Sequence, residues 1–294
     1  MSSSPKEFRR AAAILLCGAA AAVAQQSPPP EGREIEVKST LDGELQKCIL
    51  YVPSNYDPAK PTPLLVTLHS WGGNYREKGA LAIPEAARRG WIALMPDYRN
   101  GNNHPKACAS PFAVQDIVDA IEHVGANYNL DRSRIYLIGA SGGGHMALVM
   151  AARHPEIWAA VSVWCPISDL VAWHREHRPE NSRVKKEGFS AGIIRNLERV
   201  CGGPPGASAA VDREYAERSP IHFIEKAKDV RIQINHGEQD DLVDVHHGRD
   251  AFERLQAAGA QRATLNIFAG GHTLKMPEAA AWVEAQGARD RGPR

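Results

Sequence analysis

Short, nearly continuous apolar runs alternate along the chain with stretches in which apolar residues recur every three or four positions. Runs of this kind are typical of parallel strands that are buried on both faces, and they occupy residues 64–68, 91–95, 135–138, 158–163, 230–234 and 263–268. The stretches between them have helical spacing and include residues 112–124, 146–153, 245–258 and 279–285. Strands that alternate with helices predict an α/β fold with a doubly wound, mostly parallel sheet.

Two departures from this alternation complete the predicted architecture. Residues 34–40 and 44–52 alternate apolar with polar side chains around the turn Asp42-Gly43, which predicts an antiparallel hairpin at the start of the sheet. The long segment at about residues 166–228 is predicted to be a lid-like insertion, with short helices at 189–200 and 213–222. We therefore expect a linker at residues 25–33 and a single domain at residues 34–294.

The charge balance gives no reason to expect nucleic acid or a membrane surface as the main partner. The 294 residues include 35 Lys and Arg against 34 Asp and Glu, a formal net charge of +1. Small-molecule and glycan-linked substrates remain compatible with this balance. The five cysteines form no closely spaced Cys/His set, and the run His174-Arg175-Glu176-His177 has no third ligand nearby in sequence, so no metal site is predicted.

The N-terminal 24 residues have the three parts of a signal peptide. Lys6, Arg9 and Arg10 precede an apolar run at residues 11–23, which ends in the small-residue pattern Ala22-Val23-Ala24. The run has 13 residues, fewer than the roughly 20 that a membrane-spanning helix requires. We expect cleavage near Ala24 and a secreted or periplasmic protein without a membrane anchor.

Cleavage would also remove Cys17 and leave an even number of cysteines, namely Cys48, Cys108, Cys165 and Cys201. In an exported protein this count predicts at least one disulfide, with the pairing left open. The alternative is that the four residues serve as small buried apolar side chains.

The most specific motif is Gly139-Ala140-Ser141-Gly142-Gly143, which directly follows one predicted strand and directly precedes a helical pattern. A serine in this context lies on a tight strand-to-helix turn, where the neighbouring glycines let the backbone pass without a clash. The start of the helix also favours developing negative charge. The motif predicts that Ser141 is a nucleophile.

A nucleophilic serine requires a base and a group that orients the base, and on such sheets both follow later strands, the acid before the histidine. Asp240 follows the predicted strand at 230–234, and His272 follows the last predicted strand. We expect Asp240 to orient His272 and His272 to take the proton of Ser141. Asp241 and Asp169 are the alternative acids.

The oxyanion hole is predicted from two backbone N–H groups. One belongs to Gly142, the residue after the nucleophile, and the other to the loop after the first parallel strand. That loop reads His69-Ser70-Trp71-Gly72-Gly73. Trp71 is the expected second donor, with Ser70 as its near alternative.

With these motifs the chain resembles the α/β-hydrolase superfamily. Within it, the chain is similar to the catalytic domain of the prolyl-oligopeptidase (peptidase S9) branch and to the related secreted carbohydrate and feruloyl-type esterases. The motifs that carry the resemblance are Asp97-Tyr98-Arg99, residues 139–144, Ser219-Pro220, His236-Gly237-x-x-Asp240-x-x-Val243 and Gly271-His272. The resemblance implies serine hydrolase chemistry.

Two departures from the family pattern bear on the substrate. Ser70 stands where the family usually has the glycine of a His-Gly pair. The β-propeller that precedes the catalytic domain of S9 peptidases, and that restricts them to short peptides, is not expected, because only residues 25–33 separate the expected cleavage site from the first strand. A more open pocket favours ester substrates on larger molecules.

Three tryptophans, Trp71, Trp164 and Trp173, fall at or just beyond the C-terminal ends of predicted strands, where open α/β sheets bind ligands. Their rings could stack on sugars or phenolic acids, or pack in the core or lid. The sequence thus predicts a secreted serine esterase, without a cofactor, that acts on acetyl or feruloyl-type groups of polysaccharides.

Two alternatives to the esterase stay open. The first is an S9-like serine peptidase, which needs an anchor for a peptide N-terminus, usually a pair of glutamates; Glu176 and Glu180 are the candidates. The second is a non-catalytic binding protein with the same fold.

Overall fold

One eight-stranded sheet forms the centre of the described part of the molecule, which in this computed structural model comprises Met1, residues 30–184 and residues 188–289. The strand order is β1-β2-β4-β3-β5-β6-β7-β8. Pairs β1–β2 and β2–β4 are antiparallel and the remaining pairs are parallel. The strands are β1 (Arg33–Lys38), β2 (Leu45–Tyr51), β3 (Thr62–Leu68), β4 (Ile92–Pro96), β5 (Leu130–Ala140), β6 (Ala160–Trp164), β7 (Ile232–Gly237) and β8 (Ala263–Phe268).

Helices cover both faces of the sheet, because its central strands are apolar on both sides. Helices α2, α3 and α7 pack on one face, and α1 and α8 pack on the other. The helices are α1 (Gly79–Arg89), α2 (Pro111–Asn127), α3 (Gly142–Arg153), α4 (Leu170–Glu176), α5 (Phe189–Cys201), α6 (Ala209–Arg218), α7 (His246–Ala257) and α8 (Met276–Arg289). This architecture confirms the predicted fold class, including the antiparallel hairpin.

The segment between β6 and β7 forms the predicted insertion and contains α4, α5 and α6. Its apolar side chains form a third core cluster, to which Trp71 from the main domain contributes. The helix predicted at 213–222 begins earlier, at Ala209, and ends at Arg218. It cannot continue because Pro220, which lacks an N–H, follows Ser219 and opens a 3₁₀ turn.

Glu176, at the end of α4, connects the insertion to α7. Its carboxylate oxygens lie 2.5 Å from Nε2 of His246 and 3.3 Å from Nε2 of His247. The hydrogen bond to Glu176 raises the pKa of His246 to about 9, although burial opposes the charge. Burial likewise disfavours the carboxylate of Glu176, but the two histidines lower its pKa to about 2.

Arg99, from the Asp97-Tyr98-Arg99 motif, fastens the N-terminal hairpin to α2. Its guanidinium donates to the buried carboxylate of Asp116 on α2 at 2.5 and 3.1 Å. It also donates to Asp42 at 2.9 Å and to Glu44 at 2.5 Å in the hairpin turn. The side chains of Arg99 and Asp116 are 2% and 0% exposed, so the charges compensate each other away from water.

The predicted disulfide is wrong, because all four cysteines of the described residues are free thiols. They are dispersed over β2, the loop before α2, the end of β6 and the end of α5, and all are buried. Burial raises the pKa of Cys48, Cys165 and Cys201 to about 12. They therefore serve as small buried side chains, the alternative reading of the sequence.

The predicted signal peptide lies, apart from Met1, outside the described residues. Among the residues that are described, no helix is both long enough and apolar enough to cross a membrane.

Replacing Arg99 tests the hairpin attachment. Arg99→Met leaves the carboxylate of Asp116 buried without its partner, so we expect it to lower the free energy of unfolding by about 3–5 kcal/mol in urea denaturation. The control is Arg132→Met, which breaks the exposed pair with Glu122 and should cost about 0–1 kcal/mol. Equal losses in the two variants would contradict the assignment.

The contact between the insertion and α7 predicts a pH-dependent contribution to stability. The contribution of Glu176 is present above its ordinary pKa of 4.5 and is lost as pH falls through about 2. That of His246 is present below its ordinary pKa of 6.5 and is lost as pH rises through about 9. The melting-temperature loss caused by Glu176→Gln should thus be greatest between pH 4.5 and 6.5 and shrink above pH 9. A loss that is constant over this range would disprove the coupling.

Candidate active site

Ser141 lies on the turn between β5 and α3. Its backbone angles, φ 58° and ψ −124°, are ones that residues other than glycine rarely adopt. Non-glycine residues in such conformations occur chiefly at functional sites. The turn is fixed on both sides, because the N–H of Ser141 donates to the carbonyl of Trp164 at 2.9 Å and its carbonyl accepts from the N–H of His145 at 2.9 Å. The local geometry is that expected for the motif.

Two glycines make this turn possible. A Cβ atom on Gly139 would lie 2.1 Å from the carbonyl oxygen of Gly143, and one on Gly143 would lie 2.5 Å from that of Leu68 at the end of β3. Both distances are far inside van der Waals contact. The start of α3 is therefore pressed against the ends of β5 and β3.

The same close packing brings the loop after β3 to Gly142. A Cβ on Gly142 would lie 2.3 Å from the backbone nitrogen of Trp71. The N–H of the neighbouring Ser70 is already used, because it donates to Oε2 of Glu77 at 2.8 Å. Among the described residues the N–H of Trp71 has no protein acceptor. Of the two alternatives, Trp71 is thus the available donor beside Gly142.

Asp240 and His272 lie together at the ends of β7 and β8. Oδ2 of Asp240 is 2.7 Å from Nδ1 of His272. Oδ1 accepts from the backbone N–H groups of Leu242 and Val243, each at 3.0 Å. Burial disfavours the carboxylate, yet contacts with His236 and His272 hold the pKa of Asp240 well below its ordinary value. Asp240 is therefore an ionised acceptor that orients the imidazole.

The alternative acids have other positions. Asp169 caps α4 and accepts from the N–H groups of Val171 at 2.8 Å and Ala172 at 3.1 Å. Asp241 is exposed to solvent. Of the three carboxylates, the structure pairs Asp240 with His272.

His236, from the same motif as Asp240, was not singled out as a site residue by sequence reasoning. Its Nε2 lies 2.9 Å from the carbonyl oxygen of Val243 and 3.4 Å from Oδ2 of Asp240. The next residue, Gly237, brings the two loops together, since a Cβ there would lie 2.3 Å from the carbonyl oxygen of Gly271. Contacts among its own residues therefore stabilise the loop at residues 236–243, which we call the acid loop.

Ser141 and His272 line one cavity of about 320 Å³. Its wall is mainly apolar and aromatic, and Trp71 and Trp173 meet in it edge to face with ring centroids 4.7 Å apart. The insertion contributes Trp173 and Phe189. The other lining residues are Ser70, Gly72, Lys78, Ala140, Cys165, Leu242, Val243, Thr273 and Leu274.

Trp164 does not belong to this wall. Its indole is 1% exposed, packs against Phe268 with ring centroids 5.7 Å apart and donates to the hydroxyl of Ser162 at 3.0 Å. The side chain points into the core beneath α8. The structure thus does not place Trp164 in the lining of this cavity, whereas Trp71 and Trp173, which are themselves 6% and 1% exposed, do line it.

Lys78 is a cavity residue that the sequence did not reveal, because α1, at whose start it lies, was not predicted. Its side chain is 11% exposed. Its ammonium lies 2.6 Å from Oε1 of Glu77 and 3.2 Å from the hydroxyl of Ser70.

Two groups of described side chains have the composition of a metal site: Cys165 with His236 and Asp240, and Glu176 with His246 and His247. In the first, burial raises the pKa of the Cys165 thiol to about 12, which makes it a poor ligand. In the second, Nδ1 of His247 accepts the N–H of Ser168 at 3.3 Å, so its proton lies on Nε2, which faces Glu176. The chemistry of both groups favours internal hydrogen bonds.

Comparison with known proteins places these features in a family. A model of the BD-FAE family matches residues 49–255. Three curated relatives are esterase LipC of Mycobacterium tuberculosis (26% identity over 76% of this chain), isoprenylcysteine alpha-carbonyl methylesterase ICME of Arabidopsis thaliana (38% over 75%) and feruloyl esterase B of Neurospora crassa (32% over 40%). The aligned regions span 56%, 52% and 43% of the lengths of these relatives.

Solved structures show the same fold. The acylaminoacyl peptidase of Pyrococcus horikoshii superposes with a TM-score of 0.66 over 88% of this chain and 41% of its own, at 17% identity. The family match includes residues 69–73, 139–143 and 236–243, which carry Trp71, Ser141 and Asp240. The chain belongs to the BD-FAE family of the α/β-hydrolase superfamily.

Proposed function

We propose that the protein is a secreted serine esterase that removes acetyl or feruloyl-type groups from polysaccharides. One observation carries the proposal: Ser141, held at positive φ, shares a cavity with His272, whose Nδ1 lies 2.7 Å from the carboxylate of Asp240. These are the three functional groups of a nucleophile, its base and the orienting acid.

Acylation begins with proton transfer. Because Asp240 accepts at Nδ1 of His272, that nitrogen carries the proton and Nε2 is the base. Nε2 takes the hydroxyl proton of Ser141 as Oγ attacks the ester carbonyl. The N–H groups of Gly142 and Trp71 stabilise the oxyanion. Collapse of the tetrahedral intermediate breaks the ester C–O bond, and His272 donates its proton to the departing alcohol.

Deacylation repeats these steps with water. Nε2 of His272 takes a proton from water, and the hydroxide attacks the acyl-enzyme carbonyl. The intermediate collapses, Ser141 recovers its proton from His272 and the carboxylic acid leaves. No redox or other cofactor enters the balance.

The candidate anchors for a peptide N-terminus are engaged elsewhere, which favours ester over peptide substrates. Glu176 contacts His246 and His247. Glu180 pairs with Arg178 at 2.8 Å. Neither glutamate lines the cavity of Ser141.

Three further observations support the proposed acyl group and the proposed secretion. The aromatic wall formed by Trp71, Trp173 and Phe189 suits a planar phenolic acyl group and also accepts a smaller one. One relative is named for feruloyl ester hydrolysis. The leader pattern in the sequence supports secretion, where plant or bacterial polysaccharides are met.

Ser141→Ala is expected to abolish ester hydrolysis while leaving the melting temperature within a few degrees of wild type, because it removes only the nucleophilic oxygen. Rates are compared on p-nitrophenyl acetate, methyl ferulate, acetylated xylan and a prolyl p-nitroanilide. Serine-dependent hydrolysis of the esters with silent anilide supports the esterase. Activity retained in Ser141→Ala refutes the mechanism, and faster cleavage of the anilide refutes the substrate class.

Asp240→Asn is expected to lower kcat by about 10⁴, because the amide favours the wrong tautomer of His272. The matched control is Asp241→Asn, which alters the exposed neighbour and should retain nearly full activity. Steady-state kinetics on p-nitrophenyl acetate measure both. Comparable losses in the two variants would remove Asp240 from its assigned role.

A further inference from the structure

Glu77 lies beside the loop after β3, residues 69–73, which we call the oxyanion loop, and accepts three hydrogen bonds. Its Oε2 accepts from the N–H of Ser70 at 2.8 Å. Its Oε1 accepts from the hydroxyl of Ser70 at 2.5 Å and from the ammonium of Lys78 at 2.6 Å. Lys78 also donates to the Ser70 hydroxyl at 3.2 Å, which closes the network.

The loop is shaped to admit this carboxylate. A Cβ on Gly73 would lie 1.8 Å from Oε2 of Glu77 and 3.2 Å from the nitrogen of Ser70. The carbonyl of Ser70 accepts from the N–H of Gly73 at 3.0 Å and closes a tight turn around the site. A side chain at position 73 would therefore displace Glu77 from the loop.

We propose that Glu77 and Lys78 are positioning residues for the oxyanion hole. Glu77 binds the N–H and hydroxyl of Ser70 and so holds the peptide that leads to Trp71, whose N–H remains beside Gly142. This inference rests on the proposed esterase function. It also assigns a use to the hydroxyl of Ser70, which gives Glu77 its second contact with this residue.

Lys78 makes the arrangement compatible with catalysis. A carboxylate close to the oxyanion hole would oppose the negative charge that develops there. Burial disfavours the charged form of Glu77, but hydrogen bonds from Lys78 and Ser70 lower its pKa below the ordinary value. The ammonium of Lys78 keeps Glu77 ionised, which allows its carboxylate to accept three hydrogen bonds. The same ammonium offsets the negative charge of Glu77 on the side of the cavity.

Two charge-neutral double variants separate position from charge. Glu77→Gln/Lys78→Met retains an acceptor for the N–H of Ser70, whereas Glu77→Ala/Lys78→Met retains none. We expect kcat on p-nitrophenyl acetate to be lower in the second variant than in the first. Loss of one oxyanion donor costs about 10²–10³ in kcat, so partial displacement of Trp71 in the second should lower kcat by about tenfold to a hundredfold, with KM unchanged. The inhibition constant of phenylboronic acid, which mimics the tetrahedral intermediate, should rise by the same factor.

The single variant Lys78→Met tests the charge. It leaves the negative charge of Glu77 without a compensating cation, and this charge opposes the oxyanion. We therefore expect kcat to fall below that of Glu77→Gln/Lys78→Met, although the single variant has fewer changes. This comparison also stands if the alanine variant fails to fold, which melting temperatures will reveal. Lys60→Met and Glu122→Ala are the controls, because both residues form exposed ion pairs elsewhere.

Equal rates in the two double variants, or a Lys78→Met enzyme as fast as Glu77→Gln/Lys78→Met, would overturn the inference. Both comparisons are made with a wild-type enzyme that has first been shown to hydrolyse esters in a Ser141-dependent way. Absence of that wild-type activity would instead refute the proposed function, so the two failures are distinguishable.

Discussion

The contact between the backbone of α3 and the ends of β5 and β3 is the constraint on which the rest of the site depends. Gly139, Gly142 and Gly143 have no room for a Cβ, because carbonyl oxygens and the nitrogen of Trp71 occupy those positions. Since the chain must turn from strand to helix within this space, Ser141 adopts its positive φ. The turn thus presents the serine and at the same time fixes the distance between Gly142 and the oxyanion loop.

A second close approach organises the other half of the site. Gly237 packs against the carbonyl of Gly271, which sets the acid loop against the histidine loop. Asp240 then has no freedom to rotate, because Oδ1 binds two backbone N–H groups while Oδ2 faces His272. In both halves, main-chain contacts between the ends of parallel strands determine where the reactive side chains lie. The positions of Ser141, Asp240 and His272 thus follow from the main chain at the ends of the strands.

Periodicity and motif context predicted the sheet, the hairpin and the order of Ser141, Asp240 and His272, because these depend on local patterns along the chain. Features that depend on long-range packing were beyond such patterns. Trp164 and Trp71 have similar positions in the sequence, since Trp164 is the last residue of β6 and Trp71 lies just after β3. Helix α8, however, packs on the face of the sheet to which Trp164 belongs, and Trp164 is therefore buried. Helix α1 has Pro84 in its interior, which obscured the helical pattern and with it Lys78. The state of the four cysteines, all of them free and buried, likewise depends on packing that a count of cysteines does not measure.

The cavity draws its reactive groups and its walls from separate parts of the chain. The loops after β5, β7 and β8 provide Ser141, Asp240 and His272, whereas Trp173 and Phe189 come from the insertion between β6 and β7. Glu176 joins that insertion to α7, and Trp173 and Arg218 join it to other parts of the main domain, because they donate to the carbonyl oxygens of Leu242 at 3.1 Å and Ala107 at 2.8 Å. A change in the insertion that keeps these contacts would therefore reshape the wall of the cavity without moving the turn that holds Ser141, which gives such a scaffold a modular route to a differently shaped pocket around the same three side chains.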